Sequence, residues 1–325
     1  MQKKIIYLLL FSTLMIYLTG CTLFNKTEDI SSNQNEQQHI DNNKTNTETT
    51  KNSSNTNLSN DDSNITNQDD IHVNSSESSN TINTLDEESI SWFYIPNDSH
   101  TTPNINPKLT YDLSTYDAIY NGKTTSQVIP NEDTSESTKT LYLTFDEGYE
   151  NGYTTKILDI LKEKNVKAVF FVTSPYIKSN PDLIKRMVSE GHVVGNHSKT
   201  HLSMPTLTSD TEKFNDEISD VESLYENLTG LKMTKIFRPP MGNYSEKSLS
   251  MTQDLGYKTV FWSFAYEDWD TEKQPEASYS KNKILNNLHD GSILLLHAVS
   301  KTNTEILGDV IDSARANGYE FQLIE

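Results

Sequence analysis

Two adjacent acidic residues stand where a strand-like run of the sequence ends. The run Leu141–Phe145 leads directly into Asp146 and Glu147, and Gly148 follows them. Alternating apolar and β-branched residues predict a buried strand, and the glycine predicts a turn. Two carboxylates at the end of a buried strand repel each other and lose hydration, which is costly unless a function uses them. A strand that ends in a solvated acidic turn would nevertheless show the same sequence.

Two histidines, His197 and His201, lie four residues apart after another apolar run. On a helical turn this spacing directs both imidazoles to one side, so that they could share a metal ion. A carboxylate from the first strand would complete a set of two histidines and one acid, with positions left open for water and substrate. The spacing by itself is only suggestive, because a chance pair of histidines would look the same.

Four further polar or aromatic residues follow predicted strands. Arg238 could be a surface ion-pair residue, but beside paired acids it would hold one carboxylate ionised and oriented. His297 follows three leucines, so, taken in isolation, a buried core histidine is the favoured interpretation. Asp268 and Trp269 form either an ordinary loop pair or a carboxylate that orients His297 beside an apolar wall for a substrate.

Strand-like and helix-like runs alternate from residue 140 to the end of the chain. The predicted strands are Leu141–Phe145, Ala168–Thr173, His192–Asn196, Lys235–Arg238, Lys258–Phe264, Ser292–His297 and Tyr319–Ile324. The predicted helices are Thr154–Lys164, Pro181–Ser189, Asp210–Leu228, Ser245–Leu255, Ser280–His289 and Thr304–Ala316. This alternation implies parallel strands with right-handed crossovers.

The expected fold is α/β, a distorted TIM-like (β/α)7 barrel over residues 140–325, and a doubly wound open sheet is the alternative. The polar residues singled out above fall at carboxyl ends of its strands. In a parallel barrel those ends converge on one face, where such folds place catalysis.

Three segments precede the barrel. Residues 1–21 combine two lysines, a short apolar run and the single cysteine, Cys21, which predicts a lipoprotein signal peptide with lipidation at Cys21. An uncleaved signal anchor is the alternative. Residues 22–89 are polar and predict a disordered tether. Residues 90–139 are rich in aromatic residues and predict an irregular arm packed on the barrel.

Composition limits the partners of the chain. The 325 residues carry a net charge of −19, which excludes nucleic acid as a natural partner. One cysteine leaves no disulfide within the chain. We expect an exported protein, anchored to the outer face of the cell membrane through its lipid.

Five motifs occur in the order found in polysaccharide deacetylases: Thr144–Gly148, His197–His201, Arg238–Gly242, Asp268–Trp269 and Leu294–His297. Over residues 90–325 the chain therefore resembles this family, the NodB-homology barrels. Within it, the chain looks most similar to the delta-lactam-biosynthetic deacetylases of spore-forming bacteria. That closer similarity lies in Phe145–Tyr153, Trp262–Trp269, Leu296–Ser300 and the aromatic arm.

The resemblance implies catalytic roles for the matching residues. Asp146 would be the general base that activates water, and Arg238 would orient it. His297, tuned by Asp268, would protonate the leaving amine. The backbone N–H at Met241 would help to bind the tetrahedral oxyanion.

The resemblance also implies substrate and metal contacts. Tyr244 and Trp269 would lie at the substrate, and Glu147, His197 and His201 would hold a divalent metal ion, for which zinc is the default. Glu147 departs from the family, which has Asp at this position and often Asn in the delta-lactam group. It could ligate from a shifted position or turn away and leave a site of two histidines.

Three functions remain open at this point. The first is N-deacetylation of N-acetylmuramic acid in peptidoglycan, on the way to muramic delta-lactam in spore cortex. The second is deacetylation of N-acetylglucosamine in peptidoglycan or another exported polysaccharide. The third is a tethered glycan-binding barrel without catalysis. In each case the expected partners are a glycan strand and, through the lipid anchor, the membrane.

Overall fold

The structure is a computed structural model that describes residues 84–122 and 139–324. Cys21, the predicted signal peptide and the tether up to residue 83 lie outside the described residues. Within the described ranges, no helix is both long and apolar enough to cross a membrane.

The described chain contains short strands before the barrel and longer ones within it. The strands are β1 (Ile90–Ser91), β2 (Tyr94–Ile95), β3 (Asn104–Ile105), β4 (Ala118–Ile119), β5 (Lys139–Glu147), β6 (Val169–Val172), β7 (Val193–Asn196), β8 (Ile236–Phe237), β9 (Asn243–Tyr244), β10 (Lys258–Val260), β11 (Ser292–His297) and β12 (Tyr319–Gln322). The α-helices are α1 (Thr154–Glu163), α2 (Ser174–Ser179), α3 (Pro181–Ser189), α4 (Thr211–Thr229), α5 (Glu246–Asp254), α6 (Ala277–Asn286) and α7 (Lys301–Ala316). Short 3-10 turns cover Leu113–Tyr116, Met204–Leu207 and Pro240–Gly242.

A curled parallel sheet carries these elements. Its strand order is β11–β5–β6–β7–β8–β10–β4, and β12 pairs with the first half of β5. Beyond β10, Phe264 forms a parallel bridge with Leu294 of β11, so the chain reaches the opposite edge of the sheet. This closure confirms the distorted TIM-like barrel and removes the open-sheet alternative.

Burial on both faces explains the sequence of the central strands. Every residue of β6, Val169–Val172, is buried. Parallel strands have helices on one side and the barrel interior on the other, so both faces select apolar residues. In the same core, Leu141, Leu143 and Phe145 of β5 pack with residues of α1 and α7.

One strand of the sheet comes from the aromatic arm. Ala118 and Ile119 of β4 pair in parallel with β10, while Asn121 bridges to Ser292 at the start of β11. β4 therefore fills the space between β10 and β11 at the amino-terminal end of the barrel. A strand of two residues is too short to give a periodic pattern, so the sequence predicted only an irregular arm here.

The arm is held by aromatic packing. The Trp92 ring stacks on Phe261 with 4.3 Å between centroids, and its indole N–H donates to the Trp262 carbonyl at 2.9 Å. The last residues of the predicted tether also contact the barrel, because Lys247 on α5 forms an ion pair with Glu87 at 2.5 Å. At Asp86 and Glu87 the segment predicted to be a tether is therefore packed on α5.

Candidate active site

An open cavity of about 1270 Å³ lies at the carboxyl ends of the strands. Six residues singled out from the sequence line it: Asp146, His197, His201, Met241, Trp269 and His297. Convergence of the strand ends therefore brings together residues that are up to 151 positions apart in sequence (146 to 297). Arg238 and Asp268 lie directly behind this surface, each with a fully buried side chain.

Arg238 fixes the carboxylate of Asp146. Its Nη1 donates to Asp146 Oδ1 at 2.8 Å and to the Thr144 hydroxyl at 2.8 Å. Its Nε donates to the Val260 carbonyl at 3.1 Å, and the guanidinium lies 4.2 Å above the Phe171 ring. A buried guanidinium is stable only when its donors are satisfied, and here fixed groups of the barrel satisfy them.

The charge on Asp146 is favoured despite its burial. Burial alone raises the pKa of this carboxyl, but the charge and hydrogen bond of Arg238, together with the charges of His197 and His297, outweigh burial and hold the pKa below its ordinary value. Oδ2 is not used by Arg238 and lies 3.5 Å from His197 Nε2. Asp146 is therefore an ionised acceptor with one oxygen directed at the imidazole in the cavity.

His297 lies at the end of β11, in register with Asp146 on β5. Its Nδ1 is 2.7 Å from Asp268 Oδ1, so Nε2 is the ring nitrogen left for the cavity. Burial lowers the pKa of His297, but the charge and hydrogen bond of Asp268, together with the charge of Asp146, outweigh burial, and the pKa lies above its ordinary value. Asn303 of α7 holds Asp268 in turn, since its Nδ2 donates to Oδ2 at 2.6 Å.

The two histidines after β7 meet through a tight turn and not through a helix. Ser198 and His201 both have left-handed backbone conformations, with φ of 69° and 59°, and the two imidazole centroids are 4.9 Å apart. Glu217 of α4 braces the turn by accepting from the N–H and hydroxyl of Thr200. The predicted proximity is present, but the helical reason given for it was wrong.

His197 is held in one tautomer. Its Nδ1 lies 2.8 Å from the Arg238 carbonyl, which can only accept, so Nδ1 carries the proton and Nε2 has the free lone pair. Burial lowers the pKa of His197 to about 4, with the Asp146 charge acting in the opposite direction. His197 is therefore neutral at physiological pH and suited to act as a ligand.

The loop after β8 is strained where it meets the cavity. Met241 has φ of 58°, a left-handed conformation that is uncommon for residues other than glycine. Gly242 follows with φ of 65°, and a Cβ there would lie 2.7 Å from the Trp262 ring. The close approach of Trp262 leaves no room for a side chain at position 242, and local strain of the kind seen at Met241 is typical of functional sites.

Comparison with known proteins agrees with this geometry. The polysaccharide deacetylase family model matches residues 133–260. Peptidoglycan-N-acetylmuramic acid deacetylase PdaA of Bacillus subtilis is 41% identical over 238 residues, 73% of this chain and 85% of PdaA. The structure of B. subtilis PdaA, a family 4 carbohydrate esterase, matches with a TM-score of 0.66 at 40% identity, over 74% of this chain and 96% of that one.

The chain belongs to the polysaccharide deacetylase family. It is similar at lower identity to the peptidoglycan-N-acetylglucosamine deacetylase PgdA of Listeria monocytogenes, with 34% over 197 residues, 61% of this chain and 40% of PgdA. Its similarity to peptidoglycan deacetylases, together with the assembled pairs Asp146–Arg238 and His297–Asp268, makes this protein an enzyme, a hydrolase of amide bonds that are not peptide bonds. The glycan-binding barrel without catalysis is therefore not supported.

Polysaccharide deacetylases are in general metal-dependent, but the expected ligand set of Glu147, His197 and His201 is not assembled. Successive residues of a strand point to opposite faces, so Asp146 faces the cavity while Glu147 points outward to α1. Its Oε1 accepts from the Thr154 hydroxyl at 3.3 Å, and its Oε2 has no hydrogen-bond partner among the described residues. Burial, followed by the charge of Glu150, raises the pKa of Glu147 well above its ordinary value.

The fit to a metal is therefore partial. His197 and His201 offer two imidazoles at the cavity, and in the described part of the chain no group of three His, Cys, Asp or Glu side chains is placed to hold an ion. The two histidines fit a divalent metal ion, and Glu147 does not.

Trp269 and Tyr244 were both predicted to contact the substrate, but only Trp269 lies at the cavity. Trp269 is 52% exposed at the cavity, with its ring 5.8 Å from that of His297. Tyr244, by contrast, is buried against Phe261 and Trp92 in the core of the arm. The prediction that Tyr244 contacts the substrate is wrong, because β9 pairs with β1 of the arm and turns the ring away from the cavity.

Sequence reasoning missed several residues of the site. Thr144 anchors Arg238, and Asn303 anchors Asp268. Asn303 lies three residues after Ser300, whose hydroxyl accepts from the Asn303 N–H at 3.0 Å and caps α7. A Ser–x–x–Asn pattern straight after the His297 strand was the available signal for it.

Proposed function

We propose that this enzyme hydrolyses the N-acetyl group of N-acetylmuramic acid in peptidoglycan. One observation carries the proposal: the cavity contains an ionised carboxylate, Asp146, and on the neighbouring strand an imidazole, His297. A second carboxylate, Asp268, holds that imidazole in place. The similarity to PdaA over most of both chains supports the choice of amino sugar.

Proton transfer in this mechanism runs between two fixed groups. Water adds to the acetyl carbonyl carbon while Asp146 accepts its proton through Oδ2, the oxygen that Arg238 leaves free. His297 then donates the proton on Nε2 to the amide nitrogen as the C–N bond breaks. The products are acetate and a free amine on the sugar.

The backbone of Met241 supports the charge that develops on the carbonyl oxygen. Met241 lines the cavity, and its left-handed turn is fixed by the packing of Gly242 on Trp262. A preorganised N–H at this point would stabilise an oxyanion without reorganisation during the reaction. Trp269 supplies an apolar wall for the acetyl group or the sugar ring beside His297.

We also propose that His197 and His201 hold a divalent metal ion, with zinc as the natural ion for imidazole ligands. A bound ion would supply Lewis-acid polarisation of the acetyl carbonyl. The protein's own part is to keep His197 neutral, with Nε2 turned to the cavity.

The sequence supports a proposal for the cellular setting of the reaction. The signal-like residues 1–21 with Cys21 and the polar segment after them support export and anchoring to the outer face of the membrane. From there the barrel would reach the glycan strand of the wall. Formation of muramic delta-lactam in spore cortex is the process that we propose this deacetylation serves.

Deacetylation of N-acetylglucosamine is the second candidate, and the similarity to PgdA favours it. Mass spectrometry of digested peptidoglycan, treated with the enzyme or with its Asp146→Asn variant, separates the two. Acetyl loss from muramic residues that is abolished in the variant supports the proposal. Loss from glucosamine residues alone would replace it with the second candidate.

A further inference from the structure

One wall of the cavity carries two lysines that take no part in the mechanism. Lys273 precedes α6 and Lys283 lies on it, and both line the cavity together with Tyr279. Of the acidic residues that line the cavity, Asp146 is neutralised by Arg238, which leaves Glu267 as the remaining negative charge. The lining of this wall therefore carries two lysines against one remaining acid, in a protein with a net charge of −19.

Lysines on the surface of this protein are commonly paired with acids. Within the described residues, ion pairs of 4.0 Å or less are formed by Lys162, Lys164, Lys178, Lys199, Lys213, Lys232, Lys235, Lys247, Lys281 and Lys301. In that same part of the chain, neither Lys273 nor Lys283 has a carboxylate within this distance. Two cations at the cavity thus remain available to an anion from outside.

The side chain of Lys283 is held in place by Tyr279. Its Nζ donates to the Tyr279 hydroxyl at 3.1 Å and lies 5.5 Å from the centroid of that ring. The side chain is only partly exposed, and the Tyr279 ring is 53% exposed at the cavity. One of three ammonium donors is used by Tyr279, so the others can bind a carboxylate.

We propose that Lys273 and Lys283 bind the lactyl carboxylate of muramic acid and make the enzyme selective for it. This inference rests on the proposed function, because it concerns which amino sugar the same site accepts. Muramic acid differs from glucosamine by an ether-linked lactyl group, which is anionic when its carboxyl carries no peptide. A charge-assisted contact of this kind discriminates between two sugars that present the same acetamido group.

The test compares three substrates with the wild type, Lys273→Gln, Lys283→Gln and the double variant. The substrates are a glycan strand with free lactyl carboxylates, the same strand with those carboxyls converted to methylamides, and an N-acetylglucosamine oligomer. Lys281→Gln is the matched control, because Lys281 lies on the same helix but pairs with Asp309 at 3.1 Å. Acetate release gives KM and kcat for each combination.

For the free-carboxylate strand we expect KM to rise about tenfold in the double variant, with little change in kcat, as for loss of a hydrogen-bonded charge pair. The methylamide strand should show the same loss with the wild type and no further loss with the variant. Lys281→Gln should leave all values unchanged.

Equal losses on charged and neutral substrates, or no loss on the carboxylate strand, would overturn the inference while leaving the deacetylase intact. Absence of acetate release from every substrate by the wild type would instead contradict the proposed function itself. Added salt should weaken the preference for the carboxylate strand, because ions screen the contact.

Discussion

Asp268 binds His297 at two points, the ring and the backbone. Oδ1 lies 2.7 Å from Nδ1 of the ring, and Oδ2 accepts from the His297 backbone N–H at 2.8 Å. A single carboxylate therefore fixes the tautomer of the imidazole and the position of the strand end that carries it. Asn303 and the buried setting hold that carboxylate in place.

This relationship predicts a shift in pH dependence. His297 must be protonated to serve as an acid, so activity falls as pH rises through its pKa. Because Asp268 raises that pKa, Asp268→Asn should move the alkaline limb of kcat/KM to lower pH and reduce the value at neutral pH by about 10- to 100-fold. Asp270→Asn is the control. If Asp268→Asn lowered kcat/KM without shifting the alkaline limb of its pH profile, Asp268 would serve only to position His297 and not to raise its pKa.

Removal of Arg238 should cost stability as well as activity. In Arg238→Met the Asp146 carboxylate loses its partner while remaining buried, and we expect a loss of about 3 kcal/mol in the free energy of unfolding. The double variant Asp146→Asn, Arg238→Met should recover part of this loss, because no unpaired charge remains. Urea unfolding of the two single variants and the double variant measures the coupling. Strict additivity would contradict the ion pair seen here.

At acid pH the free energy of unfolding should fall, in part because Asp146 becomes protonated. Its pKa is lowered in the folded state, so its contribution to stability is present above about pH 4, the unfolded value, and is lost as pH falls through the folded value. Asp146→Asn should therefore lose less stability than the wild type between about pH 4 and pH 2. Parallel acid-unfolding curves for the two proteins would remove this interpretation.

Glu147→Gln should leave metal affinity unchanged, whereas His201→Ala should weaken it at least about tenfold. The side chain of Glu147 points to Thr154 and away from the histidines. Because the pKa of Glu147 is raised in the folded state, its ionisation destabilises the fold as pH rises above the ordinary Glu pKa. Near neutral pH, Glu147→Gln should therefore be more stable than the wild type. Calorimetric zinc titration and thermal unfolding give the two readouts. A zinc affinity that fell as far in Glu147→Gln as in His201→Ala would restore Glu147 as a ligand.

Much of the fold was predictable because it depends on local patterns. Each of the seven predicted barrel strands and six predicted helices has a counterpart, with ends that differ by a few residues. α2 was missed because six residues are too few for a helical period. The predicted strand Lys258–Phe264 is shorter in the structure, where its last residues leave β10 to bridge β11.

The sequence predicted the site residues that lie at strand ends, but not the placement of the others. Asp146 and His297 end neighbouring strands, so topology alone brings them together. The direction of Glu147 depends on alternation along β5, and the burial of Tyr244 depends on an arm whose path the sequence does not show. Lys283 lies on a helix, away from any strand end, and only the folded chain places it at the cavity.

The pairing of β4 with β10 makes residues 84–122 part of the barrel. Residues 84–122 supply a sheet strand and the Trp92 anchor, while residues 139–324 supply the cavity and its chemistry. A fragment cut to residues 139–324 would lack the first part and leave β10 and β11 with unsatisfied edges. Supplied as a separate peptide, the first part should complement the second, so the protein offers a ready point for split-enzyme reassembly.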